Sequence, residues 1–384
     1  MPLLRRYRRW WSLSILSLLC TPLLLQLASG HASFRASSQE GRQLPQLPDL
    51  PTGFWTLKNY PRAWDKYLGD HFGGRSALVG LNQRLRFALS SPSTPRVTYG
   101  TGDWLFYADD QVMQQAMGEQ MRGKAIAYLA DLTAEMQARL SSEGREFIAA
   151  LMPNKHSIHR EHLPTWAQQP PTATEYDLFL AEMARVEVRT VDLRLPLRSA
   201  AGRTPVYKRT DTHWNNLGAL LAFNTLATAM DKPDWAIAPE AALGAQRSAT
   251  TGDLARFLGK PSLLKDKNFG WRLPDPKDRM HEWGDNRQKS YDLQGFGSGG
   301  TILVVGDSFS RNFFRPLLAR NASRLVWMHH ERCRFDWSEL ERFQPDSVLL
   351  LIVERYAASC ADNRPRNMPA SVLQEGKVPR AAAR

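Results

Sequence analysis

The chain of 384 residues has only three cysteines, no internal repeat, no H-E-x-x-H and no unbroken Lys/Arg run. Each absence removes a class. Cys20 lies in the first apolar stretch, so only Cys333 and Cys360 remain for the body of the protein. That is too few for a disulfide-built fold, and a hydrophobic core must do the work. At 43% hydrophobic and 10% aromatic, the composition supplies one and excludes general disorder. Asp70, His71, His159 and His162 are not spaced as metal ligands, nor is His329-His330 near Cys333, so neither a metal nor another cofactor is expected. The net charge of +12 falls as +4 at residues 1–32 and +3 at 361–384, leaving +5 for 33–360. This diffuse excess excludes nucleic acid as a partner but tolerates an anionic polymer.

The N-terminus has the grammar of an export signal: "RRYRRW", an uncharged run from Trp10 to Ala28, then the small residues of "ASGHAS". The run is long enough to stay as an anchor. Both readings place the positive flank inside and the rest of the chain outside the cytoplasm, in the periplasm. No small residue precedes Cys20 as a lipoprotein signal requires. An exported pair, Cys333 and Cys360, fits one disulfide as well as two free thiols. Residues 33–52, rich in Gln, Ser and Pro, read as a linker; 53–360 as the folded domain; 361–384 as a disordered tail.

Within 53–360 apolar strands alternate with helical patterns. "RVTYGTGDWLFY" reads as a hairpin, and Ile126, Leu129, Thr133, Met136 and Leu140 repeat at helical spacing. "EFIAALMP", "VEVRTVDL", "GTILVVGDS", "SRLVWMHH" and "DSVLLLIVE" read as strands, with helices from Glu175 to Val186 and along "NNLGALLAFNTLATAM". The alternation predicts an α/β fold, a central parallel sheet with helices on both faces. Residues 231–298 read as an irregular insertion.

Two stretches carry chemistry. "TILVVGDSFS" puts Ser308 just past a strand and at a helix start, where ligand sites in open α/β sheets lie and backbone N–H groups can hold an oxyanion. Asp307 and Ser308 can equally be helix caps. "YKRTDTHWNNLGA" puts Asp211 and His213 one residue apart, on the same side of an extended loop. A serine hydroxyl needs a base, and the base needs a partner to fix its tautomer. His213 and Asp211 can supply base and orienter together. Tyr207 and Trp214 offer faces for a sugar ring, though packing explains both. Arg311 and Asn312 are candidates by position for substrate or oxyanion contact. Lys155 and His156 follow a strand end and suit either a cleft wall or a turn.

These motifs resemble the exopolysaccharide O-acetyltransferases of the alginate acetylation type, whose domain is related to the SGNH hydrolases. "WDKYLGDHFGGR", "YGTGDWLFY", "LMPNKHSIHREHLP" and "TGDLARFLG" extend the resemblance over about residues 55–356. Asp-x-His precedes Gly-Asp-Ser, the reverse of ordinary SGNH esterases. The resemblance implies Ser308 as nucleophile, His213 as base and Asp211 as its orienter. It implies acetyl transfer through an acetyl-Ser308 enzyme to a hydroxyl of an exported polysaccharide such as alginate or cellulose. It also implies a membrane-bound O-acyltransferase as donor and other export components as partners. An SGNH acetyl esterase and a non-catalytic polysaccharide-binding scaffold are the alternatives. Too few residues follow Cys360 for an additional carbohydrate-binding module.

Overall fold

The computed structural model describes residues 96–249, 252–258, 266–284, 289–361 and 363–370, with scattered residues ahead of 96. The expected signal, the linker and the segment holding Asp70 and His71 lie largely outside these residues. Contacts divide the chain into two units, residues 1–94 with 255–261 and residues 95–254 with 262–384. In the first, residues 60–65 are helical, and Trp64 meets Tyr60 and Tyr67 edge-on at 6.2 and 5.7 Å. It also holds a two-residue strand, β1 (Ser93–Thr94). Among the described residues no helix is long and apolar enough to cross a membrane.

The second unit opens with the expected hairpin, β2 (Val97–Tyr99) and β3 (Leu105–Tyr107). Helix α1 (Gly123–Ser142) leads into β4 (Glu146–Met152), followed by the short α2 (Lys155–Ile158). Then come α3 (Glu175–Arg185), started by a Thr174–Asp177 capping box, α4 (Arg194–Ala201) and α5 (Asn216–Ala229). Strands β5 (Leu243–Ala249), β6 (Asp266–Trp271), β7 (Met280–Trp283) and β8 (Ser290–Gln294) follow. The last segment alternates β9 (Thr301–Gly306), α6 (Ser308–Arg311), α7 (Arg315–Ala319), β10 (Arg324–His329), α8 (Ser338–Phe343) and β11 (Ser347–Val353).

The central sheet has the order β4-β11-β9-β10-β8-β7. Its first four strands are parallel, and β8 and β7 extend it antiparallel. Alternation across the parallel strands builds two cores. Ile148, Ile302, Val304, Leu349 and Leu351 face one side with Leu220, Phe223 and Leu226 of α5. Phe147, Leu303, Val305, Val348 and Leu350 face the other with Ile126, Leu129 and Met136 of α1 and Phe179 of α3. Strands buried on both faces need continuous apolar sequence, which is why "SVLLLIV" is buried at every position.

Three expectations are corrected. "VEVRTVDL" is not a strand: Glu187 takes φ 56°, and the segment gives β4 one backbone bond, Ala149 N–H to Arg189 O at 3.0 Å. The described residues of 231–298 are not an irregular insertion. They form the β5–β6 pair and the β7–β8 pair, polar strands whose partners rather than their composition define them. The tail does not begin at 361, because Arg366 N–H donates to Phe335 O and Trp337 N–H to Arg366 O, both at 2.8 Å. Residues 371–384 lie outside the described residues.

After β9 the chain goes to one side for β10 and returns on the other for β11. The carboxyl end of β9 is therefore the switch point of the sheet, where a crevice opens between diverging loops. Ser308 stands there.

Candidate active site

The turn that carries Ser308 is made by regular structure. Gly306 ends β9 where an added Cβ would fall 2.2 Å from Ser310 Oγ, so no larger residue fits without a shift. Asp307 caps α6: Oδ1 accepts from Phe309 N at 2.9 Å, and Oδ2 accepts from Val353 N of β11 at 2.8 Å. Burial opposes its charge, yet His330 at 3.6 Å and these two N–H donors hold the carboxyl below the usual range. Ser310 and Arg311 N–H both donate to Asp307 O at 3.1 Å. No acceptor among the described residues takes the Ser308 N–H, which stays available beside its own half-exposed hydroxyl.

The base loop is held differently. Asp211 and His213 do not lie on an extended strand. They form a turn in which His213 N–H donates to Asp211 Oδ1 at 3.0 Å. The loop carries almost no regular structure, and side chains from elsewhere hold its backbone. The Lys155 ammonium donates to the carbonyls of Lys208, Arg209 and Asp211 at 3.1, 3.1 and 2.7 Å. Asp266 accepts from Arg209 N, Thr210 N and Thr210 Oγ1 at 2.8, 2.7 and 2.6 Å. Gly252 lies against the loop so closely that an added Cβ would meet Thr210 O at 2.0 Å. Burial pulls the Lys155 ammonium down to about 8, against the raising influence of Asp211, Asp266 and Asp253.

The two regions meet at one line of hydrogen bonds. Asp211 Oδ1 lies 2.7 Å from His213 Nδ1, and His213 Nε2 lies 2.8 Å from Ser308 Oγ. Burial works against the Asp211 charge, but His213 and Lys208 hold its carboxyl well below the carboxylate range. An ionised Asp211 keeps the proton on Nδ1 and leaves Nε2 to accept from the hydroxyl. The imidazole lies between Phe309 and Phe313, at 4.8 and 6.0 Å. Such an arrangement can remove the serine proton and return it to a leaving group.

Ser308, His213 and Asp211 are thus brought together; the other candidates separate. Tyr207 and Trp214 are 1% and 0% exposed and offer no face to a sugar. Tyr207 OH donates to Pro153 O at 2.5 Å, and Trp214 Nε1 to Phe309 O at 3.2 Å, with Phe314 stacked on Trp214 at 5.7 Å. Packing is their role. Arg311 is engaged by Glu282 and by Lys289 O. Asn312 is exposed and accepts from Arg315 at 3.0 Å. Lys155 and His156 are buried, not part of a cleft wall. Cys333 and Cys360 are joined. They link the turn after β10 to the segment after β11.

Sequence reading missed Lys208, Thr212, Gly252, Asp253 and Asp266. Lys208 precedes Asp-x-His and Thr212 is its middle residue, so both were within reach. Asp253 stands in "TGDLARFLG", noted only as part of a resemblance. Asp266 gave no local signal.

A doubly wound sheet with this hydrogen-bonded Asp–His–Ser line at its switch point defines an SGNH hydrolase-like α/β domain. The family model for the SGNH hydrolase-like domain of acetyltransferase AlgX matches residues 97–347, and the chain belongs to that family. It is similar to the probable alginate O-acetylase AlgJ of Pseudomonas syringae pv. tomato, 27% identical over 68% of this chain and 64% of that protein. To the probable alginate O-acetylase AlgJ of Pseudomonas putida it is 28% identical over 59% of this chain and 58% of that one. The chain therefore spans less than two thirds of the length of these relatives. Among solved structures, the O-acetyltransferase domain of Pseudomonas putida AlgJ aligns at 21% identity and TM-score 0.45, over 69% of this chain and 93% of that one. Bacillus cereus PatB1 aligns at 14% identity and TM-score 0.49, over 68% and 96%.

Proposed function

We propose that the protein is an O-acetyltransferase that moves acetyl groups onto hydroxyls of an exported polysaccharide through an acetyl-Ser308 intermediate. The carrying observation is the Asp211–His213–Ser308 line, with Nε2 2.8 Å from the hydroxyl. His213 takes the Ser308 proton as Oγ attacks the acetyl carbonyl, and the free Ser308 N–H faces the developing oxyanion. The proton then passes to the leaving group. In the second half a sugar hydroxyl gives its proton to His213 as its oxygen attacks the acetyl carbonyl, and His213 returns that proton to Ser308 Oγ as the acyl–Oγ bond breaks.

The polysaccharide acceptor rests on the family and on relatives named as alginate O-acetylases. Export rests on the N-terminal sequence, with the Cys333–Cys360 bond consistent with an oxidising compartment. In the periplasm, where coenzyme A is absent, the acetyl group would come from a membrane-bound O-acyltransferase, and an uncleaved N-terminal run would hold the enzyme beside it. An isotope-labelled acetyl ester incubated with oligosaccharide tests transfer. Label should appear on the sugar and vanish with Ser308→Ala. Label released only as acetate would make the protein an esterase.

A further inference from the structure

His213 has two carboxylates behind it. Asp211 Oδ1 is 2.7 Å from Nδ1, and Asp253 Oδ2 is 3.7 Å from the same atom. Asp253 is placed by the residue between Asp211 and His213: Thr212 N–H donates to its Oδ1 at 2.8 Å, and the Thr212 hydroxyl to its Oδ2 at 2.6 Å. Both oxygens are thus taken by the base loop, so capping of the short helix that Asp253 opens does not account for the side chain. Asp253 N–H also reaches Asp211 Oδ2 at 3.3 Å. Two ammonium groups lie near Asp211: Lys208 Nζ is 3.0 Å from its Oδ2, and Lys155 Nζ donates to its backbone carbonyl at 2.7 Å. The side chains of Asp211, Lys208 and Asp253 are 9%, 14% and 23% exposed, so water screens them only in part. The other neighbours of the imidazole are uncharged: Phe309 and Phe313, the Ser308 hydroxyl at Nε2, and the Thr212 hydroxyl, 3.2 Å from Nδ1.

We propose that Asp253 and Lys208 are an opposed pair of positioning residues that set the proton affinity of His213. When the Ser308 proton moves to Nε2, the new positive charge spreads to Nδ1, in front of both carboxylates. Asp253 favours that imidazolium. Lys208 limits it by drawing on the charge of Asp211, which keeps the base from holding the proton before substrate arrives. This deepens the proposed function and rests on Ser308 and His213 acting as described there.

The test follows hydrolysis of p-nitrophenyl acetate by the full chain across the neutral pH range. Asp253→Asn keeps the oxygen that accepts from Thr212 N–H but loses the charge. It should lower kcat about tenfold at the plateau with KM unchanged, and move the acid limb of the profile to lower pH. Lys208→Gln should move that limb to higher pH, the double variant should lie between, and Asp253→Glu should restore the wild-type limb. A merely structural role predicts losses of activity without opposite shifts. Shifts of the same sign, or no shift in variants with unchanged thermal unfolding, overturn the pairing. Ser308→Ala separates the two readings: if it remains active the proposed chemistry fails, whereas if it is inert while the limbs stay fixed, only the pairing fails.

Discussion

The Ser308 turn and the Asp211–His213 loop face each other across 2.8 Å, and they are built by different means. Ser308 is positioned mainly by a strand, a glycine, a cap and a helix start within residues 301–311, with Val353 N–H and His330 steadying the capping carboxylate from further along the chain. Asp211 and His213 are positioned by Lys155, Asp266, Gly252 and Asp253, none of them close in sequence. A site of this kind joins one half fixed by local backbone preferences to another fixed by long-range polar contacts. The first half should lose chemistry without losing structure when its reactive atom is removed. The second should lose both when its fastenings are cut.

The largest effect sharpens the contrast. Ser308→Ala should abolish acetyl transfer, by about 1,000-fold or more, while thermal unfolding stays at the wild-type temperature, because no cap or ladder bond uses Oγ. Kinetics and calorimetry on one preparation check both halves of that statement. Next, Lys155→Met removes a buried donor from three carbonyls. It should cost about 3 kcal/mol or more of stability and most of the activity, measured by urea unfolding and by transfer rate. If this variant proved as stable as wild type, the contrast between the two regions would be broken.

Gly252→Ala cuts a further fastening, because its methyl would fall 2.0 Å from Thr210 O and force the loop backbone to move. We expect about a tenfold loss of kcat together with a lowered unfolding temperature. The pH dependence of stability comes after that. Burial and the neighbouring Lys155 push His156 down to about 3, and burial with His330 pushes His329 down to about 4, from 6.5. As pH falls from 6.5 towards 4, the unfolded chain binds protons that the fold refuses, so stability declines over that window. Urea midpoints against pH should show the decline, with a smaller slope in His156→Gln. Smallest is Trp214→Phe. It leaves Phe309 O unpaired and should cost about 1–2 kcal/mol with KM unchanged, whereas a sugar-stacking role would raise KM.

The same contrast explains what was legible in the sequence. β9, β10 and β11 are apolar runs long enough to identify themselves, and Gly306-Asp307-Ser308 signals a turn and a cap in adjacent letters. Asp211 and His213 were legible as a pair because one residue separates them. Their supports were not, because Lys155 and Asp266 act from far along the chain on carbonyl and N–H groups that every residue has. "VEVRTVDL" misled because β-branched residues suit any half-buried extended segment, while pairing decides whether a strand forms. The strands of 231–298 were missed for the converse reason, being polar and defined by their partners. Tyr207 and Trp214 had the right chemistry for a sugar face, and only burial assigns them to the core.

The central claim is that His213 activates Ser308 to carry the acetyl group. Mass spectrometry of the intact chain, quenched during turnover of p-nitrophenyl acetate without a sugar acceptor, tests it most directly. We expect one added acetyl group, mapped to the peptide containing Ser308, absent from Ser308→Ala and strongly reduced in His213→Ala. Acetyl on another residue, or equal labelling of the His213→Ala variant, would contradict it.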